Sequence, residues 1–213
     1  MQKRNSKETQ QRLLAAGAEL FDKKGYHNVS IKEVGRAAGC NSALISYHFG
    51  CKQALYQAVV NGQLEELFRL EKQIEAEGGS PVDQLIRYLQ AILNSQLDPE
   101  KHLTILYREL LTPSGLVGPE LWERLKGYGK YLKKLLLEAE DEGLIIIPKK
   151  ENMLDYTTFI LQAVTELLFL VKDRPMPLNP EGNSNDKVLK DMIQFILEPL
   201  RVARKSKEEG AVQ

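Results

Sequence analysis

The stretch that decides the fold is residues 30–49, which read SIKEVGRAAGCNSALISYHF. Ser30-Ile31-Lys32-Glu33 has the form of a capping box, in which a serine and a glutamate three positions later satisfy each other's backbone N–H groups. It predicts a short helix that runs to about Ala38. Gly39 then provides a turn, and Asn41 is a good N-cap for a second helix that ends near Phe49. Two short helices joined by such a turn match the helix-turn-helix plan.

The rest of the sequence is also helical in its spacing. No run of alternating apolar and polar residues is longer than a few positions, so strands are not predicted. Ser6 predicts the start of a first helix and Gly25 its end, while the Gly78-Gly79-Ser80-Pro81 segment ends one helix and starts another. The other predicted helices cover about residues 52–77, 82–97, 100–111, 120–142, 151–172 and 186–204. The sequence therefore predicts an all-α fold.

Charge is distributed unevenly along the chain. The formal net charge is zero, yet residues 1–60 carry nine basic and four acidic side chains, so a charge of +5 is balanced by −5 elsewhere. A basic segment on an acidic body is typical of a protein that meets a polyanion through one part. The alternative is an ordinary solvated surface, and charge alone does not decide between them.

Several classes of site and compartment are not predicted. The two cysteines, Cys40 and Cys51, are too far apart in sequence for a Cys-x-x-Cys metal site, and the three histidines lack partners at ligand spacing. The phosphate-binding and nucleophile motifs of common enzymes do not occur, so we expect no enzyme, no cofactor and no metal. The most apolar stretch, residues 159–171, is too short to cross a bilayer. With no secretory segment after Met1, we expect a cytoplasmic protein without a membrane partner.

A longer pattern around the helix-turn-helix resembles the N-terminal domain of the TetR family of transcriptional regulators, over about residues 6–60. The pattern is carried by Leu14-Ala15-Ala16, Leu20-Phe21, Gly25-Tyr26, Ala37-Ala38-Gly39, Tyr47-His48-Phe49 and Leu55-Tyr56. Within the family, Asn41-Ser42-Ala43 with Tyr47-His48-Phe49-Gly50 looks most like the subgroup of the regulator CerR. The Tyr107-Arg108-Glu109 and Pro113-Ser114 segments are similar to the C-terminal region of that subgroup.

The resemblance implies two domains. Residues 1–60 would form the helix-turn-helix DNA-binding domain, with the motif at 30–49, and residues 61–213 a helical regulatory domain that binds an effector and dimerises. The sequence departs from the family at two positions. Ser46 stands where many members carry a tyrosine that touches phosphate, and Cys51 replaces the usual small hydroxyl residue before Lys52.

Side-chain chemistry suggests roles within the motif. Ser30 and Asn41 begin the two short helices, whose free N–H groups suit phosphate oxygens. His48 and Lys52 also suit the phosphate backbone. Four small or polar residues lie opposite the apolar face of the second helix and are free to meet base edges or thymine methyl groups: Ser42, Ala43, Ser46 and Tyr47. Each of these residues also has a simpler interpretation as a cap, a packing residue or an ordinary surface residue.

The predicted effector site is centred on the helix at about residues 151–172. Glu166 and Gln162 share a face there with apolar side chains, and a carboxylate in such surroundings needs a partner. That partner is either Arg108, as an internal ion pair, or a ligand in a cavity, and the internal pair is slightly favoured. The full set of predicted effector residues is Tyr107, Trp122, Tyr128, Phe159, Gln162 and Glu166.

The resemblance implies a homodimer whose interface is formed by the last two helices. The predicted apolar seam consists of Leu161, Val164, Leu168, Ile193, Ile196, Leu197 and Leu200. We therefore expect a repressor that binds a palindromic DNA operator as a dimer and is released by a small-molecule effector. Two alternatives remain open at this point: a helical ligand-binding dimer without specific DNA binding, and a small-molecule enzyme on a helical scaffold.

Overall fold

The computed structural model describes residues 2–97, 103–125, 127 and 129–145. All regular secondary structure in these ranges is helical, which confirms the predicted all-α class. The helices of the described residues are α1 (Gln2–Lys24), α2 (Ile31–Ala37), α3 (Ala43–Phe49), α4 (Lys52–Glu77), α5 (Pro81–Leu97), α6 (Thr104–Leu111), α7 (Pro119–Leu125) and α8 (Lys130–Asp141). None of them has the length and apolarity needed to span a bilayer.

The chain divides into two compact units, of which the first holds the helix-turn-helix. This unit contains α1, α2, α3, the part of α4 up to Leu67, α6 and α7. Helix α1 packs against both α2 and α6, and α2 packs against α3. The fully buried apolar residues of this unit include Leu13, Phe21, Val34, Ile45, Leu55, Val60, Leu64, Ile105 and Leu106.

Local signals set the ends of the N-terminal helices. The Ser30 hydroxyl accepts the Glu33 N–H at 3.2 Å, and Glu33 Oε2 accepts the Ser30 N–H at 2.8 Å, so the predicted capping box is confirmed. Gly25 ends α1 with a φ of +74°, as predicted. The predicted start at Ser6 is wrong, because the good helix formers before it extend α1 back to Gln2.

Three further predicted boundaries differ from the structure, and one of them is the start of α6, which lies at Thr104 and not at about residue 100. Helix α3 has Ser42 at its N-cap position, and Asn41 instead accepts the Ala43 N–H through Oδ1 at 2.9 Å, so the helix starts one residue later than predicted. The predicted helix over about residues 120–142 is two helices, α7 and α8. Gly129 has a φ of +88°, a left-handed conformation that interrupts the helical hydrogen bonds and that glycine adopts without a Cβ penalty.

The second unit contains the rest of α4, α5 and α8. Helix α5 begins at Pro81 after Ser80, whose hydroxyl accepts the Asp83 N–H at 3.2 Å, as the sequence predicts. Helices α5 and α8 pack together, and their Tyr88 and Tyr131 rings meet edge to face with centroids 5.2 Å apart. The helices predicted at about 151–172 and 186–204 lie outside the described residues.

Candidate nucleic-acid interface

The two helices of the helix-turn-helix are fixed by tight packing of α2 against the turn that follows it. Val34 of α2 and Ile45 of α3 are fully buried. Gly35 allows the chain to return closely, because a Cβ at this position would lie 3.0 Å from the Cys40 carbonyl oxygen and from the Ser42 backbone nitrogen and Cα. Only a residue without a side chain fits this approach unstrained. The angle between α2 and α3 therefore depends on the backbone of the turn as well as on the packing of the core.

One face of α3 is presented to solvent. Ala43, Ser46 and Tyr47 are exposed and Ser42 is half-buried. Tyr47 is the most exposed of the large hydrophobic side chains among the described residues, with 78% of its surface accessible, while Ile45 two residues earlier is fully buried. This face combines a methyl group, hydroxyl groups and an aromatic ring, which can hydrogen-bond base edges and contact thymine methyl groups. The structure thus brings together on one helix the residues that the sequence predicts as base contacts.

The residues predicted to meet phosphate lie at the ends of the short helices. Ser30 and Asn41 are exposed, and His48 is half-buried, with its ring 5.0 Å from the Tyr47 ring. At Ser30, hydrogen bonds from its backbone N–H and from Lys24 hold the pKa of the Glu33 carboxyl down at about 2. A permanent carboxylate therefore occupies the start of α2. This negative charge makes Ser30 a weaker candidate for phosphate binding than its position alone suggests.

Lys52 stands over an aromatic ring at the start of α4. Its Nζ is 4.1 Å from the centroid of the Tyr26 ring, a cation–π contact. Tyr26 in turn packs edge to face on Tyr56 at 5.2 Å between centroids. The lysine charge is thus held near the end of the helix-turn-helix by the aromatic cluster. The sequence pattern marked Lys52 but did not predict the ring that orients it.

Arg12 is a residue of this site that the sequence reasoning missed. Its Nε and Nη2 donate to the Ala38 carbonyl at 3.0 and 2.7 Å, and Nη2 also lies 2.8 Å from the Gly39 carbonyl and 2.9 Å from Cys40 Sγ. These groups follow the last turn of α2, where backbone carbonyls lack helical partners. No local signal could have identified this contact, since Arg12 and Ala38 are 26 positions apart.

Buried polar contacts join α6 to α4 within the first unit. The Tyr56 hydroxyl donates to Glu109 Oε1 at 2.5 Å, and Glu109 Oε2 accepts the Ser114 N–H at 3.1 Å. Glu109 is only 1% exposed. At the other end of α6, Gln63 Oε1 accepts the Leu106 N–H at 2.7 Å, in place of a cap that Leu103 does not supply. Both ends of α6 are therefore anchored by side chains.

Only part of the predicted effector site falls within the described residues. Tyr107 is buried in α6, and Trp122 is half-buried in α7. Arg108, the predicted partner of Glu166, lies 3.4 Å from the carbonyl oxygens of Phe21 and Asp22 and 3.6 Å from the Asp22 carboxylate. Tyr128, Phe159, Gln162 and Glu166 lie outside the described residues, so these contacts stay predictions. The predicted dimer seam also lies outside the described residues and stays a prediction. It consists of Leu161, Val164, Leu168, Ile193, Ile196, Leu197 and Leu200.

Among the residues that the structure describes, no group of three or more His, Cys, Asp or Glu side chains is arranged to hold a metal ion. Cys40 is half-buried beside Arg12, and Cys51 is exposed before α4.

Comparison with known proteins places the helix-turn-helix in a family. Residues 13–59 match the family described as "Bacterial regulatory proteins, tetR family". The chain is 24% identical over 179 residues to the probable HTH-type transcriptional regulator YttP of Bacillus subtilis, covering 78% of this chain and 85% of YttP. It is 27% identical to the HTH-type transcriptional regulator AcrR of Shigella flexneri over 105 residues, about half of each chain (49% and 49%).

The fold comparison agrees with the sequence comparison. The ketosteroid transcriptional regulator KstR2 of Mycobacterium tuberculosis superposes with a TM-score of 0.69 at 16% identity, over 90% of this chain and 94% of that one. These relatives are named as regulators rather than enzymes. Residues 13–59 therefore share the sequence pattern of the tetR family, and the relatives with similar sequences are named as transcriptional regulators.

Proposed function

We propose that this regulator is a dimeric repressor that reads a palindromic operator through α3 and is released by a small-molecule effector. The observation that carries the proposal is the division of α3 into two faces. Ile45 is fully buried while Tyr47, two residues on, is 78% exposed among small polar neighbours. A helix of this kind, fixed by one face and open on the other, suits the major groove.

The proposed contacts divide into two groups with different consequences. Ser42, Ala43, Ser46 and Tyr47 would meet base edges, and such contacts give sequence specificity. Lys52, His48 and Asn41 would meet phosphates, with Ser30 as a weaker candidate beside the Glu33 carboxylate. Such contacts give affinity without regard to sequence. Support for this division comes from the exposure of the first group and from the position of Lys52 over the Tyr26 ring.

Comparison of two alanine variants tests the proposed roles. Tyr47→Ala should weaken binding to an operator far more than binding to random DNA, because a base contact is lost. Lys52→Ala should weaken both equally and lower the slope of log K against log salt by about one, since one phosphate contact is lost. The probe is a duplex selected by the wild-type chain from a randomised pool, with a shuffled duplex as control. Equal losses on both duplexes for Tyr47→Ala would contradict the assignment of that residue.

The dimer follows from the small size of a single recognition helix. A second half-site restores the affinity and specificity that one seven-residue helix lacks. We propose that the operator half-sites lie about 34 Å apart, one turn of DNA, or a multiple of it. Analytical ultracentrifugation of the protein with and without the selected duplex tests whether the chain is a dimer and binds the duplex as one. A monomer at micromolar concentration that shifts no duplex would refute it.

The effector is proposed to act by population shift. It would bind more tightly to a conformation in which the two recognition helices no longer match the groove spacing. KstR2, which shares the fold, is named as a ketosteroid regulator, and this supports a small organic molecule as the class of effector. The proposed contacts are Tyr107, Trp122, Tyr128, Phe159, Gln162 and Glu166.

Replacement of Glu166 by glutamine tests the effector site. If Glu166 contacts the effector, the variant should alter induction while the melting midpoint and operator affinity stay unchanged. If it is the internal partner of Arg108, the midpoint should fall, because the ion pair is lost, although by less than for a fully buried pair, since Arg108 is partly exposed and also lies 3.6 Å from the Asp22 carboxylate. We also retain as proposals the CerR-like subgroup and a boundary between the two functional domains near residue 60.

A further inference from the structure

The contact between Arg12 and the α2–α3 turn is not explained by the packing of α1 alone. Arg12 is exposed and lies outside both helices of the motif, yet its guanidinium reaches the carbonyls of Ala38 and Gly39 and the Cys40 sulfur. Carbonyls at the end of a helix lack partners and carry the negative end of the helix dipole. A guanidinium supplies both the donors and the charge that this position favours.

Helix α3 depends on this turn for its orientation. It has seven residues, its N-cap Ser42 makes no side-chain capping bond, and Ile45 is its one fully buried side chain. A helix of this length is not stable by itself. Its direction is therefore set by the contacts that fix its first residues. At about 1.5 Å of rise per residue, Tyr47 lies about 6 Å beyond Ala43, so a tilt of about 10° at the turn would move it by about 1 Å. A shift of this size disrupts a directional hydrogen bond to a base.

The turn between α2 and α3 makes close contacts on two sides. Gly35 lets the backbone of Cys40 and Ser42 approach α2 from within the motif. From the α1 side, a Cβ at Gly39 would lie 3.4 Å from Arg12 Nη2, and Gly39 itself has a φ of +60°. The arginine is therefore fitted to a turn that has no side chain at this point.

We infer that Arg12 is a positioning residue for DNA reading, which sets the angle of α3 by holding the carbonyl groups of the turn and does not itself touch DNA. This inference rests on the proposed function, because it concerns the readout by Tyr47. The competing role is a phosphate contact, which any exposed basic residue near the motif would offer. Substitution by lysine distinguishes the two roles. Lysine keeps the positive charge that a phosphate contact needs, but it lacks the planar set of N–H donors that holds the turn carbonyls.

The experiment compares Arg12→Gln, Arg12→Lys and the control Lys23→Gln. Lys23 is an exposed residue of the same helix that pairs with Glu19, so the control removes the same charge without touching the turn. Affinities are measured by fluorescence anisotropy, at several salt concentrations and well below each melting midpoint. The probes are a duplex selected by the wild-type chain and a shuffled duplex of equal length.

Both Arg12 variants should lose about tenfold in the ratio of selected to shuffled affinity, the size of one lost base contact. Their salt slopes and the behaviour of Lys23→Gln should match the wild type. If Arg12→Gln does not fold, Arg12→Lys alone carries the comparison, because it keeps the charge at this position.

Four results would overturn the inference. Rescue by lysine, with a salt slope reduced by about one in Arg12→Gln, would make Arg12 a phosphate contact. A lower melting midpoint with an unchanged affinity ratio would make it a purely structural residue. If the wild-type chain selects no duplex, the proposed function fails and this inference fails with it, whereas a wild-type preference that the Arg12 variants retain refutes this inference alone.

Discussion

Replacement of Gly35 by alanine should destabilise the protein even though alanine is the better helix former. Gly35 lies within α2, where an added Cβ would meet three backbone atoms of Cys40 and Ser42 at 3.0 Å. Gly62 offers a matched control, because it lies within α4, is exposed, and an added Cβ there meets no atom within 4 Å. The same chemical change is thus made in two helices, with and without a close neighbour.

The magnitudes follow from two opposing effects. Glycine to alanine in a helix interior gains about 1 kcal/mol in helix propensity, and this gain applies to both sites. Overpacking against atoms that cannot move away costs about 1–3 kcal/mol, and this cost applies at Gly35 alone. The backbone of the turn has little freedom to move, since Arg12 holds it from the other side. Gly62→Ala should therefore stabilise the protein by about 1 kcal/mol, while Gly35→Ala should destabilise it by up to about 2 kcal/mol.

Thermal unfolding followed by circular dichroism at 222 nm measures both effects. For a chain of this size, 1 kcal/mol corresponds to about 2–4 °C in melting midpoint, so the midpoints of the two variants should move in opposite directions. Gly35→Ala should also lower the affinity for a selected duplex, because relief of the contact moves the start of α3. Equal stabilisation by both substitutions would show that the turn relaxes freely and that the close approach does not require glycine.

Two further predictions concern carboxylates of the first unit, the buried Glu109 and the half-buried Glu33. Tyr56→Phe removes the hydroxyl that donates to the buried Glu109 carboxylate, and urea unfolding should show a loss of about 1–3 kcal/mol, whereas Tyr26→Phe in the same aromatic cluster should change stability by less than about 0.5 kcal/mol. Equal effects of the two substitutions would contradict the role of the hydroxyl. Because the folded state lowers the pKa of Glu33 from 4.5 to about 2, its stabilising contribution is present above pH 4.5 and is lost as the pH falls towards 2. The stability difference between the wild type and Glu33→Gln should therefore shrink across this range, and a difference that is independent of pH would refute the assignment.

The features that were predictable from the sequence depend on residues close together in the chain. The capping box joins Ser30 and Glu33, three positions apart, and it forms as predicted. Gly25 ends α1 because a left-handed residue is required there, and Ser80 with Pro81 starts α5 for equally local reasons. Side-chain chemistry within one turn of helix is sufficient to set such boundaries. The all-α class follows from the same signals repeated along the chain.

The features that were not predictable depend on contacts between distant segments. Arg12 reaches Ala38 across 26 positions, and Tyr56 reaches Glu109 across 53. Nothing in the local sequence distinguishes Arg12 from any other surface arginine. The glycines near residue 129 indicate a weak point in a helix, and the folded chain shows a complete break there, with Gly129 at a φ of +88° just before α8. Local chemistry thus sets where helices begin and end, whereas the angle between α2 and α3 requires the folded chain, because the groups that hold it come together only through tertiary packing.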